Sequence, residues 1–265
     1  MTRSPVLPSR SVSLRQLAAR KNRQLKPMLR KYHSQLERAF PLEGEIESVE
    51  TYLDYLRDTD STWDIIVLRD RKNKIVGGIQ YQVLDIDGEV VKRAAWVEHI
   101  WVKLERRSFL SFRALLKVAK QAIADQSASL VFMEFNNPDK MSDEEKDADA
   151  DGGITTQDRE KIWGYVGIHV AVTASGQIAA YGQPSMDGQP PVEYLSMGFI
   201  ADESLAGKTL PASDYLKIAH IAHATIPGVD LTSDPTVLAY TREVEAEGDL
   251  TFVPLAEIAA ARNGQ

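Results

Sequence analysis

Residues 94 to 126, AAWVEHIWVKLERRSFLSFRALLKVAKQAIADQ, join a strand-like run, a short basic turn and a helical period that starts directly behind it. A strand that feeds a helix at once leaves few folds open, because the helix must return over the sheet with its N-terminus at the strand's end. A helix N-terminus carries unpaired N–H groups and partial positive charge, which suits phosphate, and Arg106 and Arg107 add full charges beside it.

The elements around this unit follow from period and turn residues. Leu25, Leu29, Tyr32, Leu36 and Phe40 recur at near-helical spacing, which predicts a helix over about 27 to 40 with Pro27 in its first turn. A second helical stretch is expected over 46 to 58. The period then changes to that of strands, at 63 to 68, 75 to 84 and 90 to 102, with turns at Asp70 to Lys74 and at Asp87-Gly88, an antiparallel meander. A helix over 109 to 125 leads to a strand over 129 to 135, and strand, helix, strand implies a parallel crossover. After a polar stretch from Asn136 to Gln157 come a helix at 158 to 165 and strands near 168 to 183 and 191 to 200. Two capped helices, near Ser213 and Asp234-Pro235, and an apolar segment at Leu250 to Leu255 form the tail. The fold class is therefore mixed α/β (α+β): a mostly antiparallel central sheet with helices on both faces, plus a C-terminal helical extension. The expected division is a basic segment at 1–26, a main domain at 27–200 with an acidic insertion at 138–157, and an extension at 201–265 packed on the same domain.

Charge is split along the chain. Residues 1 to 36 hold nine Lys/Arg and no acid, while the rest holds 22 Lys/Arg against 38 Asp/Glu. Two readings of the head stand: an organelle transit peptide, or a basic first helix lying on an acidic domain. The acidic body argues against nucleic acid as a partner. No apolar run is long enough for a membrane span, and cysteine is absent, so disulfides, thiolate metal sites and a cysteine nucleophile are excluded; a cytoplasmic location is the expectation.

The element order, the charged turn after the long strand, and the later NNP and GYVG segments resemble the GNAT superfamily of acetyltransferases over roughly residues 30 to 200. In that family acetyl-CoA lies where the long strand splays from its parallel neighbour, and amides of the following turn hold the pyrophosphate. The family's turn reads Gln/Arg-x-x-Gly-x-Gly/Ala; here those positions are Arg106, Phe109 and Ser111. Both glycines are replaced, and glycine is what lets a backbone approach phosphate closely. The resemblance implies that the backbone at Ile100, Trp101 and Val102 pairs with the pantetheine arm. It also implies that Arg106, Arg107, Ser108, Leu110 and Ser111 face the phosphates and that Asn136 faces the cofactor. Glu98 matches the strand position from which some members draw a general base. The tyrosine that protonates the departing thiolate in the family falls at Trp163, and indole is too weak an acid, so Tyr165 and Tyr181 become the candidates for that step.

Residues 147 to 158, DADADGGITTQD, fit the calcium-loop template, with Asp147, Asp149 and Asp151 at positions one, three and five and Gly152 at six. The other reading is a mobile acidic insertion, and no metal ligand is assigned. The expected function is an N-acyltransferase moving an acetyl or other short acyl group from acyl-CoA to an amine of a small molecule or peptide. The alternative is a non-catalytic binding or regulatory protein on the same scaffold, with calcium as a possible ligand; a third is a CoA-dependent enzyme of other chemistry, such as a decarboxylase.

Overall fold

The computed structural model describes residues 10–40, 46–103, 109–150, 154–185, 190–200, 207–224, 226 and 228–263, without the side chains of 109, 110 and 263. The chain divides into two compact units: unit 1 takes the chain up to Val83 together with Val97–Ser127, and unit 2 takes Leu84–Trp96 and the chain from Ala128.

Unit 1 contains β1 (Arg10–Ser13), α1 (Leu14–Ala19), α2 (Leu25–Ala39), α3 (Val49–Arg57), β2 (Asp64–Arg69), most of β3 (Ile75–Asp85), the second part of β4 (Arg93–Val102) and α4 (Phe109–Ala124). Its strand order is β1-β2-β3-β4. The pairing of β2 with β3 is antiparallel and sets Ile65 opposite Gln80 and Ile66 opposite Ile79. Opposite residues share a face, so alternate pairs face alternate sides. Ile65 and Val67 meet Leu25, Leu29, Tyr32 and Leu36 of α2 and Tyr52, Leu53 and Leu56 of α3 in one core. On the other side Tyr81, opposite Asp64, receives a hydrogen bond at 3.2 Å from Gln126, just beyond α4.

The basic head is more integrated than its composition suggests. From Arg10 it forms β1, antiparallel to β2, and then α1, capped by Ser13. Ser13 Oγ donates to Asp64 Oδ2 at 2.7 Å and the Arg15 amide donates to Asp64 Oδ1 at 2.9 Å, tying this segment to a nearly buried carboxylate. Neither β1 nor α1 is among the elements expected from sequence, because their support lies about fifty residues away.

Unit 2 adds β5 (Leu130–Asn136), α5 (Asp143–Ala150), α6 (Thr156–Tyr165), β6 (Ile168–Val172), β7 (Leu195–Ile200), β8 (Thr209–Leu210), α7 (Ala212–Ala224), α8 (Pro235–Glu247), β9 (Leu250–Pro254) and α9 (Leu255–Asn263). Its strand order is β5-β7-β6-β9-β8, antiparallel at each pairing, and the start of β4 lies beside β5, where the Ser129 amide donates to the Arg93 carbonyl at 3.2 Å. Phe132, Met197, Phe199 and Phe252 from the strands pack with Tyr215, Ile218 and Ala219 of α7 and Val237, Tyr240 and Val244 of α8. Helices α6 and α9 lie close together: a Cβ on Gly164 would meet Ala256 at 3.1 Å, so glycine permits that approach. The sheet is mostly antiparallel and the class is mixed α/β, as expected. The tail supplies strands β8 and β9 as well as helices, and the strand expected over 168 to 183 ends at Val172.

Candidate functional site

In unit 1, Glu98 is half-buried in β4. Both of its oxygens accept from Trp63 Nε1 at 2.9 Å. Burial pushes its carboxyl up to about 7, opposed by the Trp63 hydrogen bond and reinforced by the nearby Glu47 carboxylate. Aromatic rings build the surroundings. Tyr52 stacks on Trp63 with centroids 5.0 Å apart, and Tyr55 meets Trp63 edge-on at 5.5 Å. The Tyr52 hydroxyl accepts from the Glu47 amide at 3.3 Å. Next along β4, His99 meets Phe40 at 4.8 Å, and burial pulls its imidazole down to about 4, so it is neutral at pH 7. The result is a carboxyl group that titrates near neutrality within an aromatic setting, the property required of a general base at that pH.

The expected cofactor positions divide between described and undescribed residues. Ile100 is half-buried, and Trp101 and Val102 are buried, with Trp101 beside Tyr32 at 5.7 Å. Backbone comes close here: a Cβ on Gly77 would lie 2.6 Å from the Trp101 carbonyl, so this position demands glycine. Ser111 is buried in the first turn of α4. Arg106, Arg107 and Ser108 lie outside the described residues, as does the side chain of Leu110.

The remaining candidates belong to unit 2. Asn136 donates to Asp149 Oδ1 at 3.1 Å, and the same carboxylate accepts from Arg159 at 2.6 Å and from Thr156 at 2.6 Å. Its amide is therefore engaged within the protein. Tyr165 stands 75% exposed at the end of α6. Tyr181 is buried in the core and donates to Glu134, while His223 Nε2 lies 2.8 Å from its oxygen and His223 Nδ1 lies 3.0 Å from the Tyr240 hydroxyl. Because Tyr181 gives its hydrogen to Glu134, we assign the His223 hydrogen to Nε2 and let Nδ1 accept from Tyr240. Burial, then the Glu134 charge, holds the Tyr181 hydroxyl well above its usual range, and burial pulls His223 down to about 4. A tyrosine so placed is a poor proton donor. Tyr165 and Tyr181 therefore occupy unlike environments.

The calcium-loop reading finds no support. Asp147 and Asp149 lie in helix α5, where residues two apart point to different sides, and Asp149 is taken by Arg159, Thr156 and Asn136. Asp158 serves α6, bound to Lys161 at 3.0 Å. Asp151 and Gly152 lie outside the described residues, and among the described residues no group of three or more His, Cys, Asp or Glu could hold a metal ion.

Sequence reasoning named Glu98 but not its neighbours Trp63, Tyr52 and Tyr55, nor the set of Glu134, His223 and Tyr240 around Tyr181. Trp63 sits one position before a strand, 35 residues from Glu98, and no local pattern links the two.

No protein family and no curated protein matches the sequence. Several solved structures are similar. An aminoglycoside 6'-N-acetyltransferase complexed with coenzyme A is 13% identical over 68% of this chain and 92% of its own, with a TM-score of 0.43. The aminoglycoside 6'-N-acetyltransferase from Enterococcus faecium is 11% identical over 68% of this chain and 93% of its own, with a TM-score of 0.44. Spermidine N-acetyltransferase from Vibrio cholerae, in complex with CoA and spermine, is 11% identical over 67% of this chain and 89% of its own, with a TM-score of 0.39. No helix among the described residues is long and apolar enough to cross a membrane.

Proposed function

We propose that the chain is an acyl-CoA-dependent N-acyltransferase that moves an acetyl or other short acyl group to an amine, with Glu98 as general base. The observation that carries this reading is the half-buried Glu98 carboxyl, raised to about 7 on strand β4, which precedes helix α4 in the chain. An acceptor amine arrives as an ammonium ion, and only the free amine attacks a thioester. A base titrating near neutrality takes that proton without holding it too tightly. The nitrogen then forms a bond to the acyl carbon, the carbon–sulfur bond breaks, and the thiolate leaves to be protonated. Tyr181 has its proton committed to Glu134, which leaves Tyr165 or solvent for that last transfer.

Helix α4 opens six residues beyond the last described residue of the β4 segment, Lys103, with Ser111 buried in its first turn, an arrangement that suits the phosphates of CoA. Arg106, Arg107, Ser108, Leu110 and Ser111 are the residues proposed to hold them, and the backbone of Ile100, Trp101 and Val102 to line the arm. Asn136 fits less well, its amide being bound to Asp149.

The test is release of free thiol from acetyl-CoA against a panel of small amines and basic peptides. For wild type, kcat/KM should rise with pH and level off above about 7. Glu98→Gln should lower kcat by about 10² to 10⁴ while leaving acetyl-CoA affinity unchanged. Full activity in that variant removes the proposed base, and absence of acetyl-CoA binding by wild type removes the reading altogether.

A further inference from the structure

Unit 2 joins four titratable side chains, from four separate parts of the sequence, in one continuous run of hydrogen bonds. Glu134 of β5 accepts from the Tyr181 hydroxyl, His223 Nε2 of α7 lies 2.8 Å from the same hydroxyl, and His223 Nδ1 lies 3.0 Å from the hydroxyl of Tyr240 in α8. Tyr181, His223 and Tyr240 are buried and Glu134 is half-buried. Ring packing sets the spacing: the Tyr181 ring lies 5.2 Å from that of His223 and 5.8 Å from that of Tyr240.

Every link in this run can point either way. A carboxylate only accepts, whereas a carboxylic acid also donates; a hydroxyl gives one hydrogen while accepting another; a neutral imidazole has one donor and one acceptor nitrogen. With Glu134 ionised, Tyr181 donates to Glu134, His223 donates from Nε2 to Tyr181, and Tyr240 donates to Nδ1. Adding one proton lets each hydrogen move one link toward Glu134. The Tyr181 hydrogen passes to the carboxylate, the Nε2 hydrogen to the Tyr181 oxygen, and the Tyr240 hydrogen to Nδ1, while Tyr240 takes a new one from solvent in the open cavity of about 720 Å³ that it borders. The sum is one O–H bond gained at Glu134, a His223 ring still neutral, and no change of charge at either tyrosine.

The surroundings leave this exchange to the four residues. Tyr215 of α7 donates to the Ala180 carbonyl at 3.1 Å, His220 of α7 pairs with Thr241 at 3.0 Å, Asp234 accepts from amides at the start of α8, and Lys140 binds the carbonyls of Tyr181 and Leu195. His220 lowers and Asp234 raises the proton affinity of His223 through space, and Glu243 of α8 acts on Tyr215 and Lys140. Burial raises the Glu134 carboxyl and pulls His223 down to about 4, so the carboxylate takes up a proton while the imidazole is still uncharged.

We propose that Glu134, Tyr181, His223 and Tyr240 form a one-proton switch: protonation of Glu134 reverses all three hydrogen bonds, moves the His223 hydrogen from Nε2 to Nδ1, and frees the Tyr240 hydrogen from the run. The switch belongs to unit 2 alone and does not rest on acyl transfer.

NMR of the full chain, with ¹⁵N in its histidine rings, reads the position of each ring hydrogen, and His223→Gln assigns the His223 signals by their loss. Wild type should hold its hydrogen on Nε2 at about pH 9 and on Nδ1 at about pH 5, neutral at both. Glu134→Gln cannot gain a proton, and Tyr181→Phe keeps the ring but lacks the linking hydroxyl, so each should show a single tautomer across that range. Thermal melting checks that both variants fold; if Glu134→Gln does not, Tyr181→Phe decides. An unchanging tautomer in wild type, a ring that gains charge over the range instead of changing tautomer, or a change that persists in either folded variant would each overturn the proposal.

Discussion

A carboxyl group set among aromatic rings with one indole N–H for company holds its proton to higher pH than one in water, and Glu98 is such a group. Its stability linkage has a definite sign. Unfolded, it titrates near 4.5; folded, near 7. Between those values the folded chain keeps a proton that the unfolded chain releases, so this residue's contribution to stability falls as pH rises from 4.5 to 7 and stays low above that. Glu98→Gln removes the buried charge and keeps an acceptor for Trp63. It should be more stable than wild type by about 1–3 kcal/mol at pH 8, with the advantage gone near pH 4, as read by urea unfolding at the two pH values. An advantage of equal size at both would show that the cause is not titration. The position of Glu98 was legible in the sequence, from its place in the long strand ahead of the basic turn. Its environment was not, because Trp63 reaches it, with Tyr52 stacked on the indole, only once β2 and α3 are folded against each other.

Elements with their own periodic pattern were legible. Helix α2 buries Leu25, Leu29, Tyr32 and Leu36, as its spacing requires, and α8 begins behind Asp234, whose carboxylate accepts from the amides of Thr236 and Val237. Elements whose support is distant were not. Strand β1 exists through its pairing with β2, and α5 is an acidic, Ala-containing run whose alternating aspartates read equally as an ion loop. The hairpin between β3 and β4 shows how far such support reaches. Its Asp87-Gly88 turn was expected, but three of its neighbouring hydrogen bonds come from α7: Asp214 accepts from the amides of Glu89, Val90 and Val91 at 2.6, 2.8 and 2.8 Å. Burial pushes that carboxyl up, and the three amides more than offset this, holding it below its usual value. Asp214→Ala should therefore destabilise the protein by about 3 kcal/mol at pH 7, since it leaves donors without their charged acceptor. The sign for a lowered carboxyl is opposite to that of Glu98. The Asp214 contribution is present above its unfolded value of 3.8 and is lost as pH falls through the lower folded value, so the wild-type advantage over the variant should shrink in strong acid.

For the molecule as a whole, the calcium reading has a direct consequence. With Asp149 held by Arg159, Thr156 and Asn136, and Asp147 on another side of α5, millimolar calcium should shift the melting temperature by less than about 1 °C in a scan against EDTA. A shift of several degrees, abolished by Asp149→Ala, would restore the loop. The two compact units divide β3 and β4 between them, and the residues beyond 200 supply β8 and β9 next to β6. By itself the sequence determined the mixed class, the meander, the long strand β4 with helix α4 after it in the chain and the placing of Glu98 in that strand, because hydrophobic period, turn residues and caps act over a few positions. Only tertiary structure decided that Glu98 lies against Trp63 and that Tyr181 is bound to Glu134 and His223. Such contacts join residues tens of positions apart, and burial, which sets their charge and proton affinity, does not exist until the elements pack.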